Sequence, residues 1–149
     1  MHRRAVYIDV ENSSRADYIA AILGHLDLGE LGPQARLFAV GNWRVVANDA
    51  AQMLSRRGAI LVHSAPAFGV KDWTDLRIAV AAGTWLGDAR AGDRLDIVTD
   101  DQAFDAIGDV AAGLGVEFHR VSFRALAQPG IVQRPRTNSR RGRRRRRAR

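Results

Sequence analysis

Five short, β-branched apolar runs alternate with four longer segments of helical period along this chain, and that alternation constrains the fold more than any single motif. The runs lie at 4–10 (RAVYIDV), 35–41 (ARLFAVG), 59–65 (AILVHSA), 94–99 (RLDIVT) and 116–122 (VEFHRVS). Between them the spacing of apolar residues predicts helices over about 14–27, 43–57, 73–88 and 102–114. Parallel neighbours need a crossover of helix length, whereas antiparallel ones close through a short hairpin. Strict alternation therefore predicts an open α/β sandwich, a five-stranded parallel sheet with helices on both faces. Ser13 or Ser14 can cap the first helix and Asp101 the fourth, while Gly58 and Gly115 fall where helices give way to strands.

At 149 residues and 46% hydrophobic, the chain suits one domain with a real core. That domain is expected over 1–127, followed by a tail at 128–149. The net charge of +7 hides two different objects. Residues 134–149 (RPRTNSRRGRRRRRAR) hold ten arginines and no acid, so the remaining 133 residues carry 13 basic against 16 acidic side chains, a net −3. Such a like-charged block repels itself and has nothing to bury, so it is expected to be disordered in isolation and open to polyanions such as RNA. The alternative is a purely compositional extension, because Lys71 is the single lysine and arginine serves everywhere else. Without cysteine, any metal must be held by oxygen or imidazole ligands. No run approaches the ~18 apolar residues of a membrane span, and Asp9 and Glu11 interrupt the first one, so the expectation is a cytoplasmic protein with no membrane partner.

In an open parallel sheet, ligands bind beyond the carboxyl ends of the strands, where strand order reverses. Strand one ends in Asp9-Val10-Glu11-Asn12 and strand four in Thr99-Asp100-Asp101. A 3-2-1-4-5 order sets these two ends side by side, so that Asp9 and Asp101 face one crevice. Asp72 and Asp75 sit in the first turn of the third helix, where an acid either serves the helix dipole or, at Asp75, joins the same crevice. An ionised carboxylate inside a strand needs compensation. Three hard oxygen ligands without histidine or cysteine match Mg²⁺ or Mn²⁺, which keep several waters and take phosphate oxygens as well. Asp9, Asp75 and Asp101 are the candidate metal ligands, with Glu11 as a weaker one. Asn12, a neutral donor and acceptor, suits orienting a ligating carboxylate or a bound water. The histidines at 2, 25, 63 and 119 are too scattered for a ligand set. Trp85 reads as core, whereas Trp43 and Trp73 lie near the carboxyl end of the sheet, where they either pack or stack on bases.

These motifs resemble the NYN branch of the PIN-like metal-dependent ribonucleases. YIDVEN resembles that family's opening strand with its Asp-x-x-Asn ending at Asp9 and Asn12; LFAVGNW resembles the second strand; VKDWTDLRIAV resembles its Lys-x-x-x-Asp segment; and IVTDDQAFDAIGDVAAGLGVEF resembles the fourth strand with its acidic signature. The resemblance spans about residues 4–122. It implies a PIN-like, Rossmann-like three-layer sandwich and an endoribonuclease whose Mg²⁺ or Mn²⁺ centre hydrolyses RNA phosphodiesters, leaving a 5′-phosphate. Two positions depart from the pattern: Ala103 stands where the second signature aspartate belongs, and Ala81 and Ala82 where relatives often offer another acid. Asp105, four residues beyond Asp101, either returns to the same helical face and replaces the missing carboxylate or is an exposed first-turn acid. Lys71 either touches a phosphate or is a solvated loop lysine. Arg140, Arg141, Arg143, Arg144, Arg145, Arg146 and Arg147 are the candidate nucleic-acid contacts of the tail. The rival reading is a PIN-like RNA-binding module with a depleted acidic centre; a homodimer is compatible with either. Receiver and hydrolase-type phosphoryl transfer fit less well, because strand three ends in Ser64-Ala65-Pro66 and Glu11 replaces the second aspartate of a hydrolase Asp-x-Asp.

Overall fold

A computed structural model describes residues 1–10, 15–26, 34–65 and 70–127 of the chain. The strands are β1 (Arg4–Asp9), β2 (Ala35–Gly41), β3 (Ile60–His63), β4 (Arg94–Val98) and β5 (Glu117–Val121). The helices are α1 (Ala16–His25), α2 (Asn48–Arg56), α3 (Trp73–Gly87), α4 (Asp105–Gly113) and the short α5 (Phe123–Ala127), with a 3₁₀ turn at Gln102–Phe104 leading into α4. The sheet runs β3-β2-β1-β4-β5 and every pairing is parallel, as the alternation predicted. β1 lies at the centre, with Ile8 opposite Ala39 on one side and Val98 on the other.

Alternate residues of each strand feed two apolar layers, because a pleated strand points successive side chains to opposite faces. Val6 and Ile8 of β1 and Val10 just beyond it pack with Ile19 and Ile22 of α1, Leu54 of α2 and Phe123 of α5. Ala5 and Tyr7 pack instead with Ile78, Ala82 and Leu86 of α3 and Ala111 of α4. Both helix-to-strand glycines take the left-handed conformation that ends a helix cheaply only without a Cβ, Gly58 at φ 78° and Gly115 at φ 70°.

Two regions depart from the expected boundaries. α2 starts at Asn48 rather than near 43, because Asn42 folds residues 42–46 into a turn: its Oδ1 accepts from the Arg44 N–H at 3.1 Å and its carbonyl from the Val45 and Val46 N–H groups. Side-chain bonding of this kind competes with helix. α5 was not expected at all; five residues are too few to show a period, although Ser122 caps it by accepting from the Ala125 N–H at 3.4 Å. The caps assigned to Ser13 and Ser14, and the tail from 128 onward, lie outside the described residues. No helix among the described residues is long and apolar enough to cross a membrane.

Charged groups lock the amino ends of the central strands. Asp96 is fully buried and receives Arg4 Nε at 2.7 Å and Arg94 Nη2 at 3.0 Å. Asp93 accepts from the Arg3 N–H at 2.8 Å, the Arg90 N–H at 2.9 Å and Arg3 Nε at 3.2 Å. Burial pushes the Asp93 carboxyl upward, but these donors and the Arg3 charge outweigh it and hold it below its usual 3.8. Because the unfolded chain binds this proton more readily than the folded one, the stabilisation is complete above about pH 4 and is lost as pH falls through the depressed pKa. Urea unfolding of Asp93→Asn is expected to show a weaker acid dependence below pH 4 than wild type.

Candidate active site

The carboxyl ends of β1 and β4 meet as the strand order requires. Asp9 closes β1 with no exposed surface, on the sheet face that carries Ala5 and Tyr7, the face covered by α3 and α4. Beside it, buried Thr99 extends β4 by one residue, and its N–H donates to the Val121 carbonyl at 2.9 Å. The Thr99 hydroxyl approaches Asp9 Oδ2 at 3.5 Å and accepts from the Asp101 N–H at 3.2 Å. One hydroxyl thus ties the end of β1 to the backbone of Asp101. The Asp101 carboxylate in turn caps the 3₁₀ turn, Oδ1 accepting from the Ala103 N–H at 2.9 Å.

Above these ends lies a polar cavity of about 380 Å³, lined by Tyr18, Asp72, Asp75, Asp100, Asp101, Phe123 and Arg124. Four carboxylates from two crossovers share it with one arginine. α3 delivers Asp75 because its buried face, Thr74, Ile78, Ala82 and Leu86, fixes the rotation of the helix against the sheet. The start of α3 is further fixed by a buried hydroxyl pair, Ser64 Oγ and Thr74 Oγ1 at 3.1 Å. Asp72 adopts φ 58°, a left-handed conformation uncommon outside glycine though tolerated by aspartate, and its side chain makes no capping bond to the helix it precedes. A side-chain capping bond therefore does not account for Asp72, which leaves it the charge interaction with the helix dipole and its place in the cavity. Asp100 accepts from Ser122 Oγ at 2.5 Å and from the Arg124 N–H at 3.3 Å, and Arg124 Nε lies 3.8 Å from its Oδ2. The Arg124 side chain remains 88% exposed and available to a ligand.

Of the residues singled out by sequence, Asp75 and Asp101 line this cavity and Asp9 joins them through Thr99. Asn12 and Glu11 lie outside the described residues, as do the seven tail arginines. Asp105 is not part of the lining: it is exposed and ion-paired with Arg120 Nε of β5 at 2.8 Å. Lys71 is exposed and also outside the lining. Trp43 is tied to β3, its indole N–H donating to the Val62 carbonyl at 2.9 Å, and Trp73 faces a different, apolar groove. Sequence reasoning passed over Asp100, Asp72, Tyr18 and Arg124 as site residues. Asp100 was legible as a strand-end acid, whereas Arg124 rides on the short α5.

Among the described residues no three histidine, aspartate or glutamate side chains close on one point as a finished metal cage. Mg²⁺ needs less, since one or two carboxylates with waters and substrate phosphate oxygens complete its shell. The donor chemistry here, all carboxylate with no nitrogen or sulfur, fits such a hard ion. Fold and site together define an α/β sandwich with an acidic cavity at the strand ends. No protein-family model matches the chain, and no curated protein matches it.

Proposed function

We propose that the chain is a metal-dependent ribonuclease of the PIN-like type, with Mg²⁺ or Mn²⁺ held by Asp75 and Asp101 of the acidic cavity together with Asp9, which ends β1 outside its lining. The observation that carries this reading is the gathering of strand-end and crossover carboxylates over the switch point of the sheet, with Asp9 coupled to Asp101 through Thr99. A divalent cation bound there would activate water and neutralise charge on the scissile phosphate. Thr99 keeps Asp9 and the Asp101 backbone in register with each other. Arg124, with Asp100 holding its backbone N–H, offers an exposed guanidinium to a phosphate oxygen. Asp105, engaged by Arg120, is left to a structural role.

Purified full-length protein incubated with end-labelled single-stranded RNA tests the proposal, with Mn²⁺, with Mg²⁺ and with a chelator. Cleavage that needs the metal supports it. RNA binding without cleavage under every metal condition would instead select the binding-module reading, which the alanine at position 103 favours.

The body of the chain is net negative and its cavity acidic, so it attracts RNA poorly by itself. The arginine tail supplies the missing attraction in this proposal. Deleting 134–149 is expected to weaken RNA binding at low salt while saturated turnover changes little. If about five arginines engage phosphates together, the slope of log affinity against log salt relaxes by roughly 3 to 4 units. Filter binding across a salt series measures it, and an unchanged slope would remove the tail from the RNA contact.

A further inference from the structure

α3 is apolar nearly all round, and only one of its faces is used by the sheet. On the opposite side Trp73, Leu76 and Val80 are 47%, 64% and 69% exposed. With 3.6 residues per turn, Trp73, Leu76, Arg77, Val80, Gly83, Thr84 and Gly87 all fall within about 60° of Val80 around the helix. This stripe runs the whole length of α3 and continues into an apolar groove of about 510 Å³ between α3 and the β1–β3 part of the sheet, floored by Tyr7, Phe38, Val40 and Val62. An apolar face of this extent marks an interface.

We infer that it pairs with the same face of a second copy of this chain, α3 against α3 in antiparallel, with the two-fold axis at Val80. Val80 is the middle residue of the Trp73–Gly87 helix, so the axis sets each large side chain of one half over a small residue of the other. Trp73 meets Gly87 of the second copy, Leu76 meets Gly83, and Val80 meets Val80. Beyond their own helix backbone and chain neighbours, neither Gly83 nor Gly87 has an atom within 4 Å of where a Cβ would stand, so both present open space to a knob from outside.

Charge agrees with shape. Arg77 is the one charged residue of the stripe, and helical side chains lean toward the amino end of their helix. In this antiparallel pair that direction leads to the carboxyl end of the opposite α3, where exposed Asp88 follows and the last turn carries no basic residue. Among the described residues neither the Arg77 nor the Asp88 side chain has an ion-pair partner within its own chain. The two-fold supplies each with the other, and adds a cation where a helix end favours one. It also turns the two grooves toward each other. A face about 22 Å long and 20 Å wide spans roughly 450 Å² in projection on each copy, and a rugged surface carries more accessible area than its projection. Two such faces reach the roughly 1,000 Å² from which specific dimers begin.

Sedimentation velocity of full-length protein freed of nucleic acid, across micromolar concentrations, tests this. Wild type is expected to sediment at twice the 16.4 kDa chain mass. Val80→Asp, which sets two carboxylates face to face on the axis, and Gly83→Leu, which fills the space needed by Leu76, are expected to give monomers. Gly83→Leu has room in the single chain and improves helix propensity, so loss of the dimer in that variant cannot be misfolding. Arg77→Glu is expected to raise the dimer Kd at least about tenfold, and adding Asp88→Arg to restore it. A wild type monomeric throughout, or a dimer that survives both Val80→Asp and Gly83→Leu, overturns the inference.

Discussion

Asp101→Asn is expected to cut Mn²⁺-dependent RNA cleavage by at least about 100-fold with little change in thermal stability, because it removes a charge that the proposed centre would use to hold a metal while keeping the shape. Asparagine caps as well as aspartate, so the bond to the Ala103 N–H survives the change. Asp9→Asn and Asp75→Asn should act in the same direction. Asp75 lies on a helix whose buried face is untouched by the substitution, and the Asp9 amide still fits beside the Thr99 hydroxyl. Single-turnover cleavage of labelled RNA, paired with a melting curve for each variant, measures both effects. Wild-type rates in Asp101→Asn would sink the proposed centre, in which Asp101 is one of the three ligands.

The largest stability effect is expected away from the cavity, at Asp96. Its carboxylate has no exposed surface and meets two guanidiniums, of which Arg4 is itself mostly buried. Asp96→Ala strands those cations at the edge of the core and is expected to cost about 3 kcal/mol or more. Replacing all three, as Arg4→Met, Arg94→Met and Asp96→Leu together, should recover most of the loss, because desolvating a buried triad uses up much of its Coulombic gain. Urea unfolding with an unchanged m value would quantify both variants. A loss below about 1 kcal/mol in Asp96→Ala would show that the arginines find solvent freely and the triad is incidental.

Sheet order and strand positions were legible because apolar runs and helical periods repeat over many residues, and each observed strand begins and ends within two residues of its expected position. The site was legible only as far as strand ends reveal it. Asp75 and Asp101 could be placed over the switch point because parallel connectivity fixes which loops gather there. Asp105 shows where that reasoning stops. An offset of four returns to one helical side only if a regular helix begins at Asp101, and here residues 102–104 form a 3₁₀ turn with a tighter pitch before α4 starts at Asp105 itself. Its partner Arg120 comes from the neighbouring strand, and no local pattern announces such a pair. Arg124 was hidden for the matching reason, carried by a five-residue helix with no period of its own.

The position of β1 at the centre of the sheet also shapes how the chain must assemble. Its first neighbour, β2, follows after some 25 residues, but its second, β4, pairs Arg4 with Arg94 across 90 positions of sequence. On a ribosome adding about 5 to 20 residues each second, that edge of β1 waits roughly 5 to 20 s for its partner. Meanwhile β1, β2 and β3 can form a half-sheet whose open edge would readily accept a wrong strand. The arginines at the start of β1 then act as a register key. When β4 arrives, Arg3 and Arg4 find Asp93 and Asp96 only in one alignment, since a slip of one residue turns Asp96 toward the opposite layer and leaves both arginines unmatched.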